Sequence, residues 1–165
     1  MDDQTFKSAL SQWVAGVTIV TAKDGETVKG MTVSSFTSVS VNPYLILIAI
    51  DKKTGTHPII EKSGAFAANI VHTGQIEWAM RFAGMMPEIT DRFFDITYTQ
   101  ATTGSPILPD VIGWVDCKLH SAHEAGDHTI FVGEVVDAAG NSGNAPLLYH
   151  SRQWGAFNAL PTQEE

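Results

Sequence analysis

The longest uninterrupted apolar run in the chain, Tyr44–Ile50 (YLILIAI), is only seven residues long. A run of that length fills one buried β-strand and cannot cross a bilayer as a helix. The neighbouring stretches are also short, and turn signals separate them. Gly16 opens VTIVTAK, Asp24-Gly25 signals a hairpin turn, and Asn42-Pro43 ends the extended stretch that follows. GAFAANIV comes next, then two runs between Gly113 and Asp137 around the turn Glu124-Ala125-Gly126-Asp127, then LLYHSRQW as a last strand. YLILIAI, apolar throughout, is expected at the centre of the sheet and covered on both faces.

Helical patterns are short. Phe6, Leu10 and Trp13 share one face of a helix over 3–13. Pro58 opens a second near His57, with Thr56 as its cap. Thr73 caps a third through Gln75–Phe82, which stops at Gly84. Residues 84–110 hold three of the seven prolines and little periodicity, which predicts a long, partly mobile excursion. Six or seven strands with two or three short helices predict a mainly β fold, an antiparallel barrel with helical decoration.

Six of the nine residues from Thr32 to Ser40 carry a hydroxyl. A strand that served only a core would alternate apolar with assorted polar residues. This one offers closely spaced donors and small side chains, which suit a neutral polar chain ending in a phosphate or a flat heteroaromatic rimmed with carbonyls. The competing reading is a solvated edge strand.

The bulk properties narrow the partners. With 44% hydrophobic and 17% charged residues, the chain reads as one ordinary globular domain. A net charge of −8 without a long run of one sign argues against nucleic acid, although Lys52, Lys53, Arg81 and Arg92 could gather around an anionic cofactor. The single cysteine, Cys117, excludes an internal disulfide and reads as a buried inert thiol. The acidic N-terminus lacks the regions of a signal peptide, so a cytoplasmic location is expected, with no membrane partner.

No G-x-G-x-x-G, G-x-x-x-x-G-K-[ST] or G-x-S-x-G occurs, so a bound nucleotide is held by neither a Rossmann fingerprint nor a P-loop. His120, His123 and His128 form a rival metal triad, but residues three apart on one strand should face opposite ways, and no metal site is assigned. His128 follows Gly126-Asp127 at the start of a strand, on the face of Ile130 and Val132. It is either a satisfied structural histidine or a group that hydrogen-bonds a carboxamide or stacks on a ring.

GVTIVT (16–21), GMTVSSFTSVS (30–40), TGTHPII (54–60), FAANIV (66–71), RFAG (81–84), GDHTIFVGEV (126–135) and PLLYH (146–150) together resemble the flavin reductase family. Its members are small NAD(P)H:flavin oxidoreductases that supply reduced flavin to two-component monooxygenases. The likeness runs from about Phe6 to Trp154, within a single domain over 1–165 whose last residues, 161–165, are expected to fray. It implies an FMN-binding split β-barrel, antiparallel and of Greek-key type, working as a homodimer with flavin near the subunit interface. It implies FMN or FAD as cofactor and NADH or NADPH as cosubstrate.

The resemblance also implies residue roles. Met31, Thr32, Val33, Ser34 and Ser35 would lie along the isoalloxazine edge and ribityl chain. The segment Asp51, Lys52, Lys53, Thr54 and Thr56 would hold the phosphate end. Asn69, Arg81 and Phe82 carry over as further cofactor contacts, and His128 as the catalytic-site residue beside the nicotinamide. Two basic residues before Thr54-Gly55-Thr56 are what a phosphate requires, and a helix N-terminus there would add to them; a solvated turn is the plain alternative for the lysines. A hydride would pass from nicotinamide to flavin, with backbone N–H groups around Thr32–Ser35 favouring the negative charge that develops. Residues 84–110 would be either a lid or a structural excursion. A non-catalytic FMN- or heme-binding electron relay is the alternative function. Pyridoxamine-phosphate-oxidase-like enzymes share the fold, but three arginines are few for their substrate phosphate, and that low count also leans toward NADH over NADPH.

Overall fold

The computed structural model describes residues 1–160; the tail expected over 161–165 lies outside the described residues. α1 (Asp3–Ser11) leads into β1 (Ala15–Gly16) and the hairpin of β2 (Thr18–Asp24) and β3 (Thr27–Val33), with Gly25 at φ 56 in the turn. β4 (Thr37–Val41) and β5 (Tyr44–Asp51) form a second hairpin, followed by α2 (His57–Ser63) and β6 (Ala65–Ile70). A 3₁₀ turn (Thr73–Gln75) runs into α3 (Ile76–Phe82). β7 (Thr99–Gln100) and β8 (Pro106–Ile107) pair within the long excursion. β9 (Gly113–Ala125) and β10 (His128–Gly140) make a long hairpin, and β11 (Leu147–His150) and β12 (Gln153–Ala156) end the described chain.

Seven strands join in one sheet in the order β3-β2-β6-β9-β10-β5-β4, every pair antiparallel. Laid flat, such a sheet would be about 29 Å wide at the usual strand spacing. Its two edge strands, β3 and β4, are joined by Ser34, Ser35 and Phe36 alone, which reach about 14 Å at most. The sheet therefore has to roll up until its edges adjoin. Ser35 fastens that seam: its Oγ accepts from Ala49 N at 2.9 Å and donates to Ala49 O at 3.0 Å on β5.

The barrel interior is filled by Val20, Ile46, Ile48, Ile50, Phe66 and Phe131, with Ile60 of α2 plugging one end. A second apolar layer, including Ile19, Val71, Phe82, Ile96 and Leu108, packs outside β2 and β6 beneath α3 and the 84–110 segment. A Cβ at Gly133 would lie 2.6 Å from Phe66 Cζ, so only glycine lets that ring fill the interior.

Several expectations change. The hydroxyl-rich stretch is two strands on opposite edges of the sheet, because the chain must cross the seam at Ser34–Phe36. The strands covered on both faces are β2 and β6, not YLILIAI. In β5, Ile46, Ile48 and Ile50 point inward while Leu45, Leu47 and Ala49 stay half-buried on the outside, since the second layer stops short of them. The last strand is a hairpin turning at Ser151-Arg152.

The caps also differ. His72, not Thr73, caps the turn before α3, its Nδ1 accepting from Gly74 N at 3.0 Å. Thr56 stands at the α2 N-cap without a side-chain cap bond, because its backbone is already helical. The excursion is tied down rather than loose: Thr103 bonds Asp116, and Phe93 packs edge-on against Phe82 and Tyr98. α1 forms as expected, yet it buries none of its residues.

Candidate functional site

A cleft of about 220 Å³ is lined by Met31, Thr32, Val33, Ser34 and Ser35, with Ala49 and His128 opposite. Side chains of consecutive strand residues alternate faces, so a cleft that takes in Met31, Thr32 and Val33 together, and then the Ser34–Ser35 crossing, lies along the strand's edge. β3 is a sheet edge, paired only with β2, and its outward N–H and C=O groups are offered to whatever occupies the cleft. Thr32 Oγ1 donates to Ala79 O at 2.7 Å, which pins this edge to α3 and leaves the oxygen's lone pairs available. Ser34 is exposed, whereas the Ser35 hydroxyl is engaged in the seam.

His128 is held by its own hairpin. Its Nδ1 lies 2.7 Å from Asp127 Oδ1; an ionised carboxylate only accepts, so Nδ1 carries the proton and Nε2 is left for a ligand. The hydrogen bond from His128 holds the Asp127 carboxyl below the usual range, helped by the Lys53 charge. Asp51 pairs with His128 across β5 and β10, and the turn after Asp51 is stitched to the hairpin tip. Lys52 N donates to Asp127 O at 3.0 Å, and Lys52 Nζ to Gly126 O at 2.9 Å and to Glu124, whose carboxyl it depresses. Gly126, at φ 65, supplies the left-handed residue this tight turn requires.

A second cavity of about 220 Å³ continues along β3, lined by Val28, Lys29, Gly30, Gly55, Thr56 and Arg92 among others. Lys29 and Arg92 have no carboxylate partner among the described residues. Arg92 Nη1 instead donates to the carbonyls of Phe82 (2.9 Å) and Gly30 (3.2 Å), which fixes a cation at the cavity wall. Lys29 and Arg92 beside Thr56 and a glycine favour an anion, against which the Asp91 carboxylate also stands on the wall, its Oδ1 accepting from Phe93 N at 2.9 Å. Of the expected phosphate group, Thr56 lines this cavity. Thr54 bonds Asp51 O instead, Lys52 is committed to the hairpin, and Lys53 uses its backbone N on Asp51 Oδ1.

Lys29 and Arg92 line this cavity, whereas the lysine pair Lys52 and Lys53 does not. Lys29 extends the hydroxyl-rich strand toward its start, a signal that was legible. Arg92 sits in an aperiodic segment and carries none.

Three expected contacts lie away from both cavities. Asn69 is fully buried: its Nδ2 donates to Ile19 O at 3.0 Å and Thr21 Oγ1 at 3.2 Å, and its Oδ1 accepts from Leu108 N at 2.8 Å. Arg81 is buried against Asp95 and Glu77, and Asp95 is thereby held below the ordinary carboxylate range. Phe82 is a core ring beneath β3; a Cβ at Gly30 would lie 2.8 Å from its Cε1. His120 falls at a bulge of β9, where Leu119 and Ser121 pair with Gly133 and Val132.

A carbonyl-and-amide edge, an oriented imidazole and an anion pocket at the far end together suit a flavin phosphate with a nicotinamide beside its ring. The chain is 38% identical to a flavin reductase of Pseudomonas putida over 97% of its own length and 93% of the relative. It is 35% identical to an FMN reductase (NADH), SmoA, of Agrobacterium fabrum, covering 95% and 87%. Its fold superposes with a TM-score of 0.89 on a homolog of nitrilotriacetate monooxygenase component B from Mycobacterium thermoresistibile, 30% identical and covering 99% and 93%. The family model for the flavin reductase like domain matches residues 10–157, and the chain belongs to that family.

Proposed function

We propose that this chain is an NAD(P)H-dependent flavin reductase that transfers a hydride from nicotinamide to FMN or FAD and passes reduced flavin to a partner monooxygenase. The observation that carries this reading is a pair of cavities set one after the other along the open edge of β3, one with His128 on its wall and the other with Lys29, Arg92 and Thr56. The donor set fits flavin: backbone groups for the ring rim, hydroxyls for the ribityl chain, cations for the phosphate. Flavin, when bound there, supplies the electron sink for the hydride.

The chain's own residues align and select. The edge N–H groups of residues 31–35 favour negative charge on the ring rim facing them. Lys29 and Arg92 anchor the phosphate end. Asp127 fixes the tautomer of His128, whose Nε2 orients the nicotinamide carboxamide against the ring. Met31, Val33 and Ala49 exclude water from the cleft wall. Asp51 and Lys52 hold the hairpin that carries His128, Phe82 supports β3 from beneath, and Asn69 and Arg81 tie β2 and α3 to the 84–110 segment.

We infer a homodimer from the outer face of β5 and β10. Ala49 pairs with Ile130 and Leu47 with Val132 there, all only half-buried, and Val41 and Tyr44 stand exposed at the adjoining hairpin, 80% and 65% accessible. A second copy would cover this face and the cleft beside it. The reading is of one flavin reductase-like domain over 1–165. No helix among the described residues is long and apolar enough to cross a membrane. The single unpaired thiol accords with a cytoplasmic setting.

Consumption of NADH and NADPH by the purified chain, with and without FMN, FAD or riboflavin, tests the proposal. Turnover that requires added or copurified flavin is expected. Bound flavin or heme without nicotinamide oxidation would establish a binding module instead.

A further inference from the structure

His57, the first residue of α2, lines neither cavity, yet it is buried and makes a bond that crosses from the helix to the sheet. Its Nε2 lies 2.8 Å from Thr129 Oγ1 on β10. The ring tilts against Phe131, 5.2 Å between centroids, and the Glu61 carboxylate stands 3.5 Å from Nδ1. That carboxylate favours the proton on Nδ1, so Nε2 accepts from the Thr129 hydroxyl. Thr129 is itself buried, and His57 is the one side-chain partner of its hydroxyl among the described residues.

The residues just before His57 do line the anion cavity. Thr56 is buried on its wall, and its hydroxyl makes no cap bond to α2. A Cβ at Gly55 would lie 3.8 Å from Lys29 Cδ, so the Lys29 stem runs across that glycine. The facing wall is fixed by Arg92 on the carbonyls of Phe82 and Gly30. On the α2 side the chain is fixed at Thr54, whose N and Oγ1 both donate to Asp51 O, and next at His57. Gly55 and Thr56 span the gap between those two points.

The other ties of α2 do not set its direction. Ile60 sits in the barrel interior, but an apolar contact is non-directional and lets the helix turn about it. Lys62 pairs with Asp24 at 2.9 Å near the far end, in the open, where an ion pair contributes little. The His57–Thr129 bond is buried and directional, so it decides where the first turn of α2 points.

We propose that His57 is a positioning residue for the phosphate end of the flavin, placing Thr56 and the Lys29 stem through its bond to Thr129, a role that rests on the reductase reading for the identity of the ligand. The ring end of the site is independent of it. That cleft is built from residues 31–35, Ala49 and His128, none of them on α2. The backbone of Thr129 is held by Ile50 and Glu124 on either side, so loss of its hydroxyl leaves His128 in place.

Kd for FMN and for riboflavin, which lacks the phosphate, measured by flavin fluorescence in the parent, Thr129→Val, His57→Leu and His57→Gln, tests this. Valine keeps the branched shape of threonine without its hydroxyl, and glutamine can still bond that hydroxyl. Kd for FMN is expected to rise about tenfold in Thr129→Val and His57→Leu, with Kd for riboflavin unchanged, and to return toward the parent value in His57→Gln. A lowered Tm with an unchanged ratio of the two affinities, or riboflavin weakened as much as FMN, would overturn the role. If His57→Leu does not fold, Thr129→Val decides alone. A parent that holds FMN more tightly than riboflavin yet leaves NADH unoxidised removes the reductase reading, and the same ratio still decides the role of His57. A parent that binds FMN no more tightly than riboflavin, or binds neither, overturns that role whatever becomes of NADH.

Discussion

His128 has one ring nitrogen free for the proposed nicotinamide contact, because Asp127 occupies the other. Replacing it with alanine should lower kcat/KM for NADH on the order of 10²-fold, with Kd for FMN unchanged, as measured by steady-state kinetics and flavin fluorescence. Unchanged kinetics would remove the residue from the site. Asn69 is expected to behave in the opposite way. Asn69→Ala strips the partner from Leu108 N and from the carbonyl it bonds, so urea denaturation should show a loss of about 3 kcal/mol with flavin affinity kept. Cys117 is inert by position: burial, with the Asp116 charge adding to it, pushes its thiol up to about 12. A thiol reagent at neutral pH should label it only after unfolding; rapid labelling of the folded chain would contradict its burial. That inertness was legible from VDCKLH, whereas the role of Asn69 was not. A buried amide satisfied by three partners looks, in sequence, the same as one aimed at a ligand.

At the scale of elements, the hairpin signals were the most legible part of the chain. Asp24-Gly25 and Gly126-Asp127 turn where expected because glycine at positive φ leaves the backbone little choice. What sequence could not show is which apolar strands carry a second covering layer. YLILIAI and FAANIV read alike, and only the packing of α3 and the 84–110 segment distinguishes them. That segment is locked to α3 through Arg81 and Asp95. The hydrogen bond from Arg81 depresses the Asp95 carboxyl, so the pairing stabilises the fold above the unfolded carboxylate value, about 3.9, and is lost as pH falls through the lower folded value. Asp95→Asn should therefore melt below the parent at neutral pH, and the gap should close in acid. A gap that persists below that range would mean the pairing is not its source.

The whole molecule is a barrel rolled far enough for three residues to bridge its edges, and the groove follows from that closure. Edge strands usually need a cover; here β3 is left open beside Ala49 and His128, where a ligand can pair with it. The sheet's other unsatisfied surface, outside β5 and β10, is assigned to a second copy. Val132→Lys should convert a sedimenting dimer to monomer, and a parent that sediments as a monomer would remove that assignment. The barrel was legible from strand number and length, since seven short runs with antiparallel turns have few other solutions. The cavity beside Lys29 was not, because Arg92 arises from chain that carries no periodic signal.

The most direct measurement is anaerobic mixing of the protein and FMN with NADH deuterated at the transferring position, followed by flavin absorbance. Bleaching of the flavin that depends on the protein, slows with the deuterated nucleotide and is impaired in His128→Ala is expected. Flavin that binds yet keeps its oxidised spectrum would contradict the reductase reading.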